Sequence, residues 1–235
     1  MYQFSSRIRF SETDEHNRLD AAGLLDYFQD CATFHSGDIG LSGAVLRSRG
    51  MFWVLSSWQV ILYRLPSLGD RVEVITNPYD FKGCFGRRNF RLDTAEGETL
   101  AIADSLWTLV STESGAPVHI CQEDMEKYQP GAPFDMDYAG RKIKITGEES
   151  GCFDPVPVSR HMLDCNGHVN NTQYVRLAEE YLPGDFAYRQ LRVEYKKAAL
   201  LGDTLHVKRY AGDGRITVQL ADGAGKPYVT VEFTA

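Results

Sequence analysis

The fold of this chain is decided by a stretch that occurs twice. Residues 58–74 read WQVILYRLPSLGDRVEV, and residues 191–207 read LRVEYKKAALLGDTLHV. Both copies pass from an apolar run to a Gly-Asp turn, Gly69-Asp70 in the first and Gly202-Asp203 in the second, and then enter an alternating strand. The sequence therefore predicts an internal duplication, with a register of 133 positions in this part of the chain.

A second match, in a register of 150 positions, precedes each copy. Its apolar or neutral residues recur with helical spacing, and Asp20 and Asn170 stand where the two helices would begin. The matched pairs are Asp14 with Asp164, Leu24 with Tyr174, Leu25 with Val175, Phe28 with Ala178, Cys31 with Tyr181 and Ala32 with Leu182. The register shortens because the loop after the helix is predicted to be longer in the first half, at about residues 36–50, than in the second, at 183–186.

Each half is predicted to contain a strand, one helix and then several mostly antiparallel strands. The first strand is placed at RIRF, residues 7–10. A long helix lying across an antiparallel sheet is an α+β arrangement. A stretch rich in Gly, Pro and charge separates the halves, which gives an N-terminal repeat at 1–130, a linker at 131–151 and a C-terminal repeat at 152–235.

Composition limits the function classes. The 235 residues are 43% hydrophobic and 24% charged, as in ordinary globular proteins, and the net charge of −7 argues against nucleic acid as the main partner. No apolar run approaches the roughly 20 residues of a membrane span, and the N-terminus alternates instead of forming a signal-peptide core, so a cytoplasmic location is expected. Five scattered cysteines without CxxC spacing indicate neither a disulfide framework nor a zinc site.

The most reactive stretch of the chain is LDCNGHVNN, residues 163–171. A connecting turn needs a Gly or an Asn for its backbone angles, but it has no evident use for Asp164, Asn166 and His168 together. The structural alternative is an Asx-turn or a helix cap. The matching turn of the first half reads DEHNR, residues 14–18, and places other side chains at the positions of Asn166 and His168, so one repeat is predicted to carry chemistry and the other to serve as scaffold and pocket.

These stretches resemble a known family. They are LLDYFQDCATFH, FWVLSSWQV, the Pro-x-x-Gly-Asp of LPSLGDRVEV, RRNF and SLWTLV in the first half, and LDCNGHVNNTQYV and LRVEYKK in the second. Together they are similar to acyl-acyl carrier protein (acyl-ACP) thioesterases, which carry two tandem hotdog repeats. The resemblance implies hydrolysis of fatty acyl-ACP to free fatty acid and holo-ACP, which terminates fatty acid synthesis.

The resemblance also implies site roles, cofactors and partners. Asp164 would activate water or attack the carbonyl directly, Asn166 would position the water or the carboxylate, and His168 would donate or shuttle a proton. A helix beginning near Asn171 would direct its N–H groups and positive end at the acyl carbonyl. No metal or organic cofactor is expected. The partner would be an acyl carrier protein with a 4′-phosphopantetheine-linked acyl chain, with no membrane partner, and a homodimer is compatible with the sequence.

One strand departs from the plant members of that family. Their sequence resembles Tyr-Arg-Arg-Glu-Cys, whereas residues 195–199 here read YKKAA, so no strand-borne thiol or carboxylate is available. Cys165 has no evident partner that would stabilise a thiolate. Glu194 is expected at the surface, paired with nearby lysines. Two basic clusters are candidates for docking an acidic carrier: Lys82, Arg87, Arg88 and Arg91, and Arg141, Lys142 and Lys144.

Three other functions stay open on sequence alone. An acyl-CoA thioesterase of the hotdog fold would use the same turn, although its usual chain is a single repeat. A hotdog dehydratase would pair a His with an acidic residue across two repeats, and the first-half turn offers no recognisable partner motif. A non-catalytic acyl-binding module would keep the fold and have no need of Asp164.

Overall fold

The structure is a computed structural model that describes residues 1–235. The chain forms two compact units, of which the first comprises residues 1–56 and 60–139 and the second residues 57–59 and 140–235. The division into 1–130, 131–151 and 152–235 stays a prediction. No helix combines the length and the apolar character that crossing a membrane requires.

The first unit is a twisted antiparallel sheet with one long helix. Its elements are β1 Tyr2–Arg7, α1 Ala21–Asp38, α2 Gly43–Ser48, β2 Met51–Leu62, β3 Arg71–Lys82, β4 Phe85–Thr94, β5 Thr99–Ser111 and α3 Gln122–Tyr128, with a 3₁₀ turn at Phe10–Glu12. The sheet order is β1-β3-β4-β5-β2. Helix α1 packs against β1 and β3, where Leu24, Leu25 and Phe28 are fully buried. Burial of these large side chains is the main force that holds the helix on the sheet.

The second unit repeats the same order of elements with a shorter helix. It contains β6 Glu148–Glu149, β7 Val156–Pro157, α4 Asn171–Glu179, β8 Gln190–Tyr195, β9 Thr204–Gly212, β10 Arg215–Ala221 and β11 Pro227–Thr234, with a 3₁₀ turn at Arg160–Met162. The strand order is β6-β9-β10-β11-β8, and β7 pairs with β9 as β1 pairs with β3. Helix α4 packs on β10 and β11. The predicted α+β class, with a helix against an antiparallel sheet in each repeat, is confirmed.

Both predicted helix caps are confirmed. The side chain of Asp20 accepts a hydrogen bond from the N–H of Gly23, and the side chain of Asn170 accepts one from the N–H of Thr172 at 3.1 Å. An N-cap acceptor satisfies a donor that the helix leaves unpaired, which fixes where the helix starts. The two helices therefore begin at matching positions, Ala21 and Asn171.

Three predicted boundaries were wrong. The first strand occupies Tyr2–Arg7 instead of residues 7–10, because the pairing with β3 ends at Arg7 opposite Arg71. Helix α1 runs to Asp38, and α2 lies inside the predicted loop. Helix α4 ends at Glu179, so the last matched residues lie beyond it. Pro183 follows closely, and the residue before a proline is disfavoured in helical geometry.

Candidate active site

The polar turn lies between the 3₁₀ turn Arg160–Met162 and helix α4. Leu163 bridges Val169 in antiparallel fashion, and the N–H of Asp164 donates to the carbonyl of His168 at 2.7 Å. Gly167 takes a φ of +76°, a left-handed conformation that glycine adopts without strain. The chain thus reverses within five residues, and every side chain of the candidate motif lies on this one reversal.

The carboxylate of Asp164 is held by three N–H groups. Its Oδ1 accepts from the backbone N–H of Asn166 at 2.8 Å and from that of His168 at 3.1 Å, and its Oδ2 accepts from Nδ2 of Asn166 at 3.1 Å. A carboxylate oxygen has room for about two donors. Oδ1 is therefore fully engaged, whereas Oδ2 retains a lone pair for a water molecule or an acyl carbon.

Most backbone N–H groups of the turn donate to acceptors within the chain. Those of Asn166 and His168 donate to the Asp164 side chain, that of Gly167 to the Asp164 carbonyl, that of Val169 to Ala199 and that of Asn170 to Met162. At the helix start, the N–H of Thr172 donates to the side chain of Asn170, and the N–H of Gln173 donates to the carbonyl of Asn170. The helix start therefore offers an acyl oxygen fewer free donors than the sequence predicted. Stabilisation of an oxyanion here would have to come mainly from side chains.

His168 supplies a side-chain donor that no group of the chain engages. Its backbone is fixed by the Asp164 contacts and by an antiparallel bridge to Leu200, while its half-buried imidazole makes no hydrogen bond or ion pair within the chain. The structure brings Asp164 and Asn166 together through side-chain atoms and ties His168 to them through the backbone. All three predicted site residues therefore lie in one turn, and their catalytic roles stay a prediction.

The first repeat contains the same turn with different side chains. Oδ1 of Asp14 accepts from the backbone N–H groups of His16 at 2.8 Å and Arg18 at 2.9 Å, and the N–H of Asp14 donates to the carbonyl of Arg18 at 2.8 Å. Asn17 takes the left-handed position with a φ of 57°. The aspartate therefore has a structural role in both repeats. The chemical difference lies in the side chains two and four positions after it.

The segment that follows β8 lies directly against the turn. The N–H of Val169 donates to the carbonyl of Ala199 at 2.9 Å, and the N–H of Ala199 donates to the hydroxyl of Tyr174 at 2.8 Å. Here the chain has Ala198 and Ala199 where the plant pattern has Glu and Cys, so these two positions offer the turn only backbone groups. The contact made by Tyr174 was missed from the sequence, although its match to Leu24 in the other repeat was a usable signal.

The basic clusters differ in availability. In the first, Arg87 pairs with Asp104 at 2.8 Å, Arg91 pairs with Asp93 at 2.7 Å, and Arg88 is 6% exposed, so these side chains are largely engaged or covered. In the second, Arg141, Lys142 and Lys144 are exposed and make no ion pair. We call these three residues the basic segment.

The basic segment is anchored beside β8. The N–H of Ile143 donates to Oε2 of Glu194 at 3.1 Å, and Nη2 of Arg192 donates to the carbonyl of Gly140 at 2.6 Å. Glu194 was expected at the surface, but this cover leaves it only 5% exposed. Its predicted pairing with a lysine is confirmed by a 3.0 Å contact with Lys196.

Replacing Cys165 with alanine is expected to leave most of the activity. The thiol is exposed, and no basic side chain forms a contact with it that would stabilise a thiolate. For the acyl-ACP hydrolysis that the sequence predicts, the steady-state rate of Cys165→Ala should stay within about threefold of the wild-type rate, because the substitution removes no group that the turn uses. A loss of 10²-fold or more would assign the nucleophile to this cysteine.

Comparison with known proteins decides the family. The sequence model of the acyl-ACP thioesterase N-terminal domain matches residues 1–128, and that of the C-terminal domain matches residues 147–223. This chain belongs to the acyl-ACP thioesterase family.

Histidine, cysteine and acidic side chains nowhere form a group of three that could hold a metal ion.

Among curated relatives, the chain is similar to chloroplastic plant enzymes. It is 26% identical over 206 residues to acyl-acyl carrier protein hydrolase FATB2 of Cuphea viscosissima, covering 81% of this chain and 50% of the relative. It is 25% identical over 206 residues to the palmitoyl-acyl carrier protein thioesterase of Arabidopsis thaliana, with the same two coverages. The chain therefore spans about half the length of the curated relatives it matches.

The chain shares the double hotdog fold with solved structures, including the following two. One is an acyl-ACP thioesterase from Bacteroides thetaiotaomicron, with a TM-score of 0.89, 19% identity, and coverage of 99% of this chain and 96% of that one. The other is the 12:0-ACP thioesterase of Umbellularia californica, with a TM-score of 0.82, 20% identity and the same coverages. At these identities the likeness establishes the fold.

Proposed function

We propose that this chain hydrolyses the thioester of fatty acyl-ACP, releases free fatty acid and holo-ACP, and so terminates fatty acid synthesis. The observation that carries the proposal is the contrast between the two turns. Both hold an aspartate in the same backbone frame, but only the second adds Asn166 and an unengaged His168 imidazole. Membership of the acyl-ACP thioesterase family supplies the substrate class.

The chemical step uses the one carboxylate oxygen that the turn leaves available. A water molecule at Oδ2 of Asp164 attacks the thioester carbon and gives its proton to that oxygen. The carbon–sulfur bond breaks, and the leaving sulfur takes a proton from His168, which recovers one from Asp164. In the second route Oδ2 attacks the carbon itself, the carbon–sulfur bond breaks and the sulfur takes a proton from His168; water then hydrolyses the anhydride to the fatty acid and the Asp164 carboxylate and returns a proton to His168. Asn166 keeps Oδ2 oriented in both routes.

We propose that the carrier docks at the basic segment. Carrier proteins are acidic, and this chain has a net charge of −7, so an exposed and unpaired cationic group is needed to offset the general repulsion. The segment is fixed to Arg192 and Glu194 of β8, and the residues that follow β8 contact the turn through Ala199. A carrier bound there would lie along the strand that leads to the site.

Reversing the charge of the basic segment is expected to weaken carrier binding without slowing the chemical step. The variant Arg141→Glu/Lys142→Glu/Lys144→Glu should raise KM for acyl-ACP about tenfold or more at low salt and leave kcat within twofold. The difference should shrink at high ionic strength because exposed charges are screened. Lys82→Glu, which reverses an exposed charge of the other cluster, is the control and should leave KM nearly unchanged. An unchanged KM in the triple variant would place docking elsewhere.

The substrate class is tested by comparing acyl-ACP with acyl-CoA over several chain lengths and measuring the released thiol. The proposal predicts a higher kcat/KM for acyl-ACP at every chain length that is hydrolysed. Faster turnover of acyl-CoA would favour an acyl-CoA thioesterase. Acyl-ACP binding without any thiol release would favour a non-catalytic acyl-binding module, and reversible hydration of an enoyl chain would favour a dehydratase.

The proposal also covers location and assembly. We propose that the protein acts in the cytoplasm without nucleic acid or membrane partners; the acidic net charge argues against a nucleic-acid partner. A homodimer is part of the proposal, and light scattering of the purified protein measures it directly. Cell fractionation tests the location.

A further inference from the structure

The buried hydroxyl of Tyr174 makes a contact that has no counterpart in the first repeat. Tyr174, on α4, is 2% exposed, and its oxygen accepts the N–H of the fully buried Ala199 at 2.8 Å. Burial raises the pKa of the Tyr174 hydroxyl to about 12, so the phenol stays neutral. A buried N–H without an acceptor lowers stability, and the Tyr174 hydroxyl provides the acceptor for the N–H of Ala199.

The first repeat avoids an unsatisfied N–H at the matching position in another way. In the registers of the duplication, Tyr174 corresponds to Leu24 and Ala199 to Pro66. The carbonyl of Pro66 accepts the N–H of Leu19 at 2.9 Å, just as that of Ala199 accepts the N–H of its own turn. Proline has no N–H to satisfy, so a leucine suffices opposite it. Leu24 with Pro66 and Tyr174 with Ala199 therefore avoid an unsatisfied backbone N–H at matching positions of the two repeats, in two different ways.

A second hydroxyl follows the same pattern. Tyr195, at the end of β8, donates from its hydroxyl to the carbonyl of Asn171 at 3.0 Å, and it corresponds to Leu62 in the first repeat. The rings of Tyr174 and Tyr195 meet edge to face with centroids 6.2 Å apart. The Tyr174 hydroxyl connects α4 with the segment after β8, and the Tyr195 hydroxyl connects the end of β8 with the start of α4. They occur in the repeat that carries the candidate motif and are replaced by leucine in the other.

We propose that Tyr174 is a positioning residue for the hydrolysis, a role that rests on the proposed function. Its hydroxyl holds Ala199, whose carbonyl fixes Val169 and whose neighbour Leu200 bridges His168. In the first repeat, Pro66 has no N–H to satisfy, and Leu24 forms no hydrogen bond between the helix and the segment that carries Pro66. In the second repeat, the hydrogen bond from Ala199 to the Tyr174 hydroxyl joins α4 to the segment after β8. It thereby fixes the backbone that carries the His168 imidazole relative to the Asp164 carboxylate.

The first test removes the hydroxyl alone. Tyr174→Phe keeps the buried ring, and it should lower kcat for acyl-ACP about tenfold while KM stays within twofold, because only the alignment of reacting groups is lost. Amide hydrogen exchange at Val169 and Ala199 should accelerate. The control is Tyr27→Phe, a buried tyrosine of α1 whose hydroxyl donates to Glu12 at 2.7 Å, which should lower stability without changing kcat. Wild-type kcat in Tyr174→Phe would overturn the proposal.

The second test transfers the proline of the first repeat. In Tyr174→Phe/Ala199→Pro no N–H is left unsatisfied, so the melting temperature should return toward the wild-type value while kcat stays low. Recovery of both quantities would show that the hydroxyl only satisfies the backbone, and would overturn the positioning role. Should the wild-type chain release no thiol from any acyl-ACP, the proposed function fails. The exchange comparison still tests whether the Tyr174 hydroxyl holds the segment at Ala199: unchanged exchange in Tyr174→Phe refutes this, and faster exchange supports it.

Discussion

Replacing Asp164 with asparagine is expected to lower turnover of acyl-ACP by about 10² or more, the scale of a lost general base. The amide keeps an oxygen that can accept the two backbone N–H groups now bound to Oδ1, so the turn should survive. What disappears is the charged Oδ2, which both chemical routes require. Binding of acyl-ACP should therefore be largely retained, and steady-state kcat is the quantity that falls.

The first repeat provides a matched control for this change. Asp14 makes the same two backbone contacts through Oδ1, at 2.8 and 2.9 Å, in a turn without the Asn and His side chains. Asp14→Asn and Asp164→Asn should each cost about 1 kcal/mol of unfolding free energy, because in each an ionised acceptor becomes neutral. Only Asp164→Asn should lose turnover. Equal losses of kcat in the two variants would mean that the aspartates act through folding alone.

Replacing His168 with alanine is the second large expected effect, with kcat reduced by about 10². The imidazole makes no hydrogen bond within the chain and is the only histidine side chain of the motif, and the neighbouring asparagine amides cannot give up a proton in its place. Combining His168→Ala with Asp164→Asn should cost less than the product of the single losses, because both groups serve one transition state.

The control for His168 is again the matching position of the first repeat. Arg18→Ala removes a side chain whose Nε lies 3.7 Å from Oδ2 of Asp14, and it should change stability or carrier affinity more than kcat. Full multiplicative losses in the double variant of the second repeat would indicate that Asp164 and His168 act in separate steps. Pre-steady-state measurements would then be needed to assign each step.

Much of the fold follows from periodicity and duplication. The registers of 150 and 133 placed both helix starts and the antiparallel strands of each repeat, because helix caps, Gly-Asp turns and alternating apolar residues are local signals. The errors arose where a boundary depends on a partner. Strand β1 ends where β3 has no residue left to pair with it, and α4 stops short because Pro183 lies ahead, despite a helical pattern that continues to Leu182.

The site was predictable in its residue types and not in its hydrogen bonds. Side-chain chemistry alone singled out Asp164, Asn166 and His168. The use of each backbone N–H depends on how the segment after β8 lies against the turn, and that contact is distant in sequence. Burial of Glu194 was missed for the same reason, since alternation along β8 does not reveal that Ile143 covers one face.

The central claim is that Asp164, in the turn of the second repeat, is required to cleave the thioester and that Cys165 is not. Single-turnover thiol release from prebound acyl-ACP tests it most directly, because binding and product release are removed from the rate. The account predicts a rate near wild type for Cys165→Ala and a loss of about 10² or more for Asp164→Asn. A fully active Asp164→Asn together with an inactive Cys165→Ala would contradict it and make this a cysteine enzyme.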